Sequence, residues 1–162
     1  MGNSNFLNEY KVIHLSTVAM RDRLDGNWAS DVIHMDTYRD CLFIIDQCSG
    51  VGQGEVSVVR CDDVTPTSTA GLPGGRYRYS TTPDTYTAWA AISTSSGFLT
   101  GITPDKTYEV HIRADEVGGT SGWEYIRLKV AEVTNSPIDV NMIALLFNPR
   151  YAEDIDPLTN IA

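Results

Sequence analysis

From residue 107 onward the chain alternates between apolar and polar positions. Tyr108, Val110, Ile112 and Ala114 fall on one side of a period-two pattern, and Glu109, His111, Arg113 and Asp115 fall on the other. Successive side chains of a strand point to opposite faces, so this pattern predicts a half-buried strand in an antiparallel sheet. Trp123 to Val130 repeats the pattern, and Ile138 to Phe147 begins it a third time. In that last segment the alternation lapses. Ile143, Leu145 and Phe147 add apolar residues to the face that Asp139 and Asn141 occupy. Two arrangements produce such a doubled face. In the simpler one the strand is central and covered on both sides; in the other its outer side meets another protein, which makes Ile143, Leu145, Phe147 and the following Arg150 and Tyr151 candidate interface residues. Pro149 ends the strand, because it cannot donate to a ladder.

Upstream the signals are shorter. Lys11 to Leu15 reads as a strand, and Ser16 to Leu24 as one or two helical turns capped by Ser16 and stopped by Gly26. Residues 1–31 therefore read as an N-terminal arm or cover segment, too small to bury a core alone. Tyr38 to Asp46 is apolar on both faces at its centre, as a central sandwich strand should be. Gly50, Gly52 and Gly54 follow it. A phosphate-binding glycine loop needs a helix after the glycines, and here the β-branched strand Glu55 to Asp62 follows, so a hairpin loop is the expectation. Asp63 to Gly75 is turn-rich, Arg76 to Ser80 and Tyr86 to Ser93 are strand candidates, and Ser93 to Pro104 is again turn chemistry. Many short strands between turn clusters, without helical periodicity, predict an all-β fold: an antiparallel β-sandwich or jelly roll over residues 32–152, with extended N- and C-terminal arms and a polar tail at 153–162.

The 162 residues suffice for one domain with its own core. The formal net charge of −9, with only 12 basic residues scattered along the chain, argues against a nucleic-acid partner, because phosphate binding needs clustered Lys and Arg. No apolar run is long enough to span a membrane. The N-terminus lacks the basic and apolar regions of a signal peptide, and Phe6 stands where a myristoylation motif needs Ser or Thr. Cys41, Cys48 and Cys61 cannot all pair within one chain; they are read as free thiols, at strand positions where Cys behaves as a small hydrophobe.

Catalytic machinery is not legible. No nucleophile elbow, zinc-protease helix, Cys-x-x-Cys or Walker loop occurs. His14, His34 and His111 lie in three separate segments, and the acid pairs Asp62–Asp63 and Asp115–Glu116 point to opposite faces of a strand, so neither forms a carboxylate dyad. The expectation is no enzyme, no metal and no cofactor. Among the aromatic residues, Tyr77 and Tyr79 share one strand face; with Trp89 they are the candidates for a glycan-stacking platform, although packing against the sheet is the simpler use for them.

Ser30-Asp-Val-Ile-His-Met-Asp-Thr-Tyr38 leading into Leu42-Phe-Ile-Ile45, Val58-Val-Arg-Cys-Asp-Asp-Val-Thr-Pro-Thr67, Tyr108 to Glu116, Tyr125-Ile-Arg-Leu-Lys129 and Pro149-Arg-Tyr-Ala152 follow one another in an order that resembles small structural proteins of tailed-bacteriophage virions. These are encoded near the major capsid protein and include head decoration proteins. The resemblance spans about residues 8 to 152 and carries no catalytic residue. It implies a decoration or cement protein on the outer surface of the capsid, made in the host cytoplasm. Its partner would be the major capsid protein, and copies would self-associate as dimers or trimers. Two alternatives stand beside this reading: a head–tail connector or tail component, and a carbohydrate-binding, lectin-like module that binds host-surface glycans.

Overall fold

The computed structural model describes residues 10–15, 26–103, 105–118, 122–134 and 137–150, apart from the side chain of Ser49. The helical turns expected over Ser16 to Leu24, the tail at 153–162 and Tyr151 lie outside the described residues. What is described is an antiparallel sandwich of two sheets. Sheet A contains β1 (Tyr10–His14), β13 (Ile138–Pro149), β4 (Tyr38–Gly50), β11 (Lys106–Arg113), β7 (Arg76–Thr82) and β8 (Thr85–Tyr86) in that order, with β9 (Ala90–Ala91) also on β7. Sheet B runs β10 (Phe98–Leu99), β5 (Gln53–Cys61), β12 (Tyr125–Thr134), β2 (Trp28–Ala29); β3 (Ile33–His34) also pairs with β12, and β6 (Thr69–Gly71) with β5.

The period-two pattern explains the core directly. Cys41, Phe43 and Ile45 of β4, Tyr108, Val110 and Ile112 of β11, and Val140, Met142, Ala144 and Leu146 of β13 are all buried on the inner face of sheet A. Val56 and Val58 of β5 and Ile126, Leu128 and Val130 of β12 face them from sheet B. Burying each of these side chains is worth about 1.5–3 kcal/mol, and the two inner faces together form one hydrophobic cluster.

Several expectations change in the fold. The glycines after β4 do not close a hairpin. β4 belongs to sheet A and β5 to sheet B, so Val51–Gly52 is a corner that carries the chain from one sheet to the other. Gly50 at its start has φ +100°, and a Cβ there would lie 2.0 Å from the Pro137 carbonyl oxygen; only glycine fits. The strand read over Tyr38 to Asp46 runs four residues further, to Gly50. Ala114 does not extend β11. It opens the four-residue helix α1 (Ala114–Val117), whose Glu116 carboxylate accepts a hydrogen bond from the Arg113 backbone N–H at 2.9 Å. The loop at 63–75 contains β6, and the turn-rich 93–104 contains β10; both are two- or three-residue strands held by β5, too short to show a period.

In the leading segment β1 pairs along its whole length with β13, and β2 pairs with β12. The strand read over Lys11 to Leu15 is present as β1, and Ile13 and Leu15 bury their side chains in the core.

Candidate interaction surface

Register decides what the outer face of sheet A looks like. Val12 lies opposite Leu145, Leu145 opposite Leu42, Leu42 opposite His111, and His111 opposite Arg76. One pair along, the row is His14, Ile143, Ile44, Glu109, Arg78. A third row is Tyr10, Phe147, Asp40, Arg113. The face is therefore apolar over β1, β13 and β4 and charged over β11 and β7. β13 is flanked by hydrogen-bonded strands on both edges, as expected of a central strand. Its outer side chains Ile143, Leu145 and Phe147 are nonetheless only half-buried, and beside them Val12 and Tyr10 remain 58% and 40% exposed. No second layer of described residues covers this side.

The charged half is fully partnered. Arg78 pairs with Glu109 at 2.6 Å, and its guanidinium lies 4.6 Å from the ring centres of both Trp89 and Tyr86. The Arg76 Nε–H donates to His111 Nδ1 at 3.3 Å, and His111 Nε2 lies 2.8 Å from Asp40 Oδ1. An acceptor at Nδ1 places the ring proton on Nε2, which donates to Asp40. The second Asp40 oxygen accepts from Asn148 Nδ2 at 2.7 Å. Both ring nitrogens and both carboxylate oxygens thus have a partner within the sheet. The network pins four strands of the sheet face to one another.

The other candidates separate. Tyr77 and Tyr79 point inward: Tyr77 stacks on Phe98 at 4.0 Å and 8°, and Tyr79 tilts against Tyr108 at 5.8 Å. Their ring faces are used in packing, which removes both from any exposed sugar platform. Trp89 is 39% exposed, but it lies on the outer side of sheet A, against Arg76, Arg78 and His111. Arg150 is not part of the apolar rows; its backbone N–H donates to the Thr37 carbonyl, and it lines a small cavity with Met35, Asp36 and Trp123. His14, His34 and His111 do not converge, and no group of three or more potential metal ligands occurs among the described residues. The acid pairs tie loops: Asp62 accepts from Thr67 and Ser68, bonds that, led by the one from the Thr67 hydroxyl, hold its carboxyl below the usual range. All three cysteines are free, with Cys41 and Cys61 buried and Cys48 exposed.

Sequence reasoning missed a second surface. The outer side of sheet B carries a cleft of about 430 Å³. Its floor is the row Ala29, Lys129, Ser57, with Val59 and Ala131 alongside. Asn27 and Trp28 bound one side, and the loop residues Thr94 and Ser95 the other. That loop can lie directly on β6 because residue 71 is glycine: a Cβ there would meet the Thr94 carbonyl oxygen at 2.2 Å. The signal in the sequence was only a run of small residues on one strand face, which says nothing until the loop walls are placed.

No family model matches the chain, and no curated protein does. Solved structures resemble it only distantly. The SPBc2 prophage-derived protein YomS aligns over 86% of this chain and 94% of its own, with 9% identity and a TM-score of 0.48. The xylanase 10B modules of Clostridium thermocellum, a carbohydrate-binding module joined to a catalytic one, align over 87% of this chain and 26% of theirs, with 6% identity and a TM-score of 0.35. The C-terminal carbohydrate-binding module of LamC from Zobellia galactanivorans aligns over 85% of this chain and 98% of its own, at 10% identity and a TM-score of 0.26. Similarity at these levels concerns the course of the backbone and transfers no activity.

Proposed function

We propose that this protein is a non-enzymatic virion structural protein, a head decoration or cement protein that binds the outer surface of a major capsid shell through the outer face of sheet A. The observation that supports the reading is the contiguous apolar surface of Val12, Leu145, Leu42, Ile143 and Ile44, presented on three hydrogen-bonded strands. An apolar surface with a polar border has the anatomy of a protein interface. The rigid border matters because ordered side chains lose little entropy on docking. Binding would stabilise the shell by mass action: a protein that binds the assembled state and not its separated parts shifts the equilibrium toward assembly. A specific contact needs roughly 1,000 Å² or more of total buried surface, and repeated symmetric sites on a shell multiply it.

The test is reconstitution. Purified protein added to bare expanded shells should bind in hundreds of copies and raise their melting temperature in calorimetry. Absence of binding overturns the proposal, and six or twelve copies at a single vertex make the protein a connector instead.

A further inference from the structure

We infer that the cleft on the outer side of sheet B is a second binding site, independent of the shell-binding face, and that it takes an acidic saccharide whose carboxylate lies over Lys129 and Arg127. Lys129 occupies the middle of the floor. Arg127 is two residues along the same strand, hence on the same side of the sheet, opposite Val59. Arg127 flanks the cleft beside Val59, and neither cation makes an ion pair among the described residues. Both charges favour the Cys61 thiolate, against the dominant effect of burial and against the neighbouring Asp62 carboxylate. In a chain of net charge −9, two adjacent unpaired cations on one sheet face form a local exception. Glu55, opposite Ala131, bounds the cationic stretch.

Shape and hydrogen-bonding capacity separate a saccharide from an acidic peptide. An extended peptide gains most from adding to an open strand edge. Here β12 at Lys129 lies between β5 and β2, and β5 at Val59 lies between β12 and β6, so the main chain at those floor positions has no ladder to offer. The cleft presents side-chain hydroxyls instead: Ser57 on the floor, and Thr94 and Ser95 on the wall. Hydroxyls on two sides with cations beneath suit a polyhydroxylated ligand that carries a carboxylate.

The experiment is calorimetric titration of the intact protein with trigalacturonate, its neutral methyl ester and an oligoglutamate peptide, in low and high salt. Trigalacturonate should bind, more weakly as salt rises. Lys129→Gln should weaken it at least tenfold and Ser57→Phe, which fills the floor, should abolish it; both variants should retain wild-type melting temperature and shell binding. No binding of trigalacturonate, equal binding of the methyl ester, or preference for oligoglutamate would each overturn the assignment.

Discussion

The two outer faces of this sandwich are built by the same alternation and come out opposite in kind. On sheet A the outward residues Val12, Leu145, Leu42, Ile143 and Ile44 lie in register across β1, β13 and β4, and the result is an apolar patch beside an Arg–His–Asp network. On sheet B the outward residues of β5 and β12 are Ser, Val, Arg, Lys and Ala. The result there is a walled cleft with a cationic floor. The inner faces are alike and form the core; the outer faces differ in chemistry. An apolar patch spread over three strands suits a large partner, and a walled cleft suits a small one.

The comparison predicts first that inner residues of either sheet are equally critical. Phe43→Ala and Leu128→Ala should each destabilise by about 3–5 kcal/mol in chemical denaturation, since both side chains are fully buried. A large difference between them would mean that one sheet can fold without the other. Next in size is the corner that joins the sheets. Gly50→Ala should cost about 1–3 kcal/mol in the same measurement, from a strained positive φ and a backbone clash.

The sharpest separation of the faces should come from binding with little change in stability. Val12→Glu places a charge among the apolar rows at a residue already 58% exposed. It should lower affinity for capsid shells at least tenfold while stability stays within about 0.5 kcal/mol. Loss of shell binding on Lys129→Gln instead would exchange the roles assigned to the two faces.

The smallest effect concerns pH. Tyr108 is buried between the two sheets, and its hydroxyl accepts a hydrogen bond from the Gly101 N–H. Burial, the largest cause, raises its pKa above the ordinary tyrosine value. Stability is therefore fully present below the unfolded value of about 10 and is lost as pH rises through the raised folded one. Tyr108→Phe should remove part of this alkaline loss, at a cost of about 1 kcal/mol at neutral pH for the missing acceptor. Denaturation curves at pH 8 and pH 11 check both.

The fold was largely legible because most of it depends on one local rule. In Tyr108, Val110 and Ile112, as in Val140, Met142 and Leu146, every second residue is apolar, and every one is buried. Where strands shrink to two or three residues, as at Thr69–Gly71 and Phe98–Leu99, a period cannot be seen, and pairing with β5 alone makes them strands. The corner at Val51–Gly52 looked like a hairpin because both use glycine to reverse the chain. Which strand the chain pairs with afterwards is a tertiary matter.

The candidate sites were less legible. The doubled apolar face of Ile143, Leu145 and Phe147 was visible in sequence, but its extent was not, since Val12, Leu42 and Ile44 join it only through cross-strand register. Tyr77 and Tyr79 have the same alternation as a solvent-facing pair, and only the position of β10 and β11 shows that their rings meet Phe98 and Tyr108. Lys129 looked like an ordinary polar-face residue until a loop about 35 positions earlier in the chain, at Thr94, walled it in. The sequence by itself determined the secondary structure, the burial of alternate residues and the sandwich class, because these follow from the geometry of single strands. The tertiary structure alone decided which strands neighbour one another, and with that which outward residues combine into an apolar patch and which into a cleft.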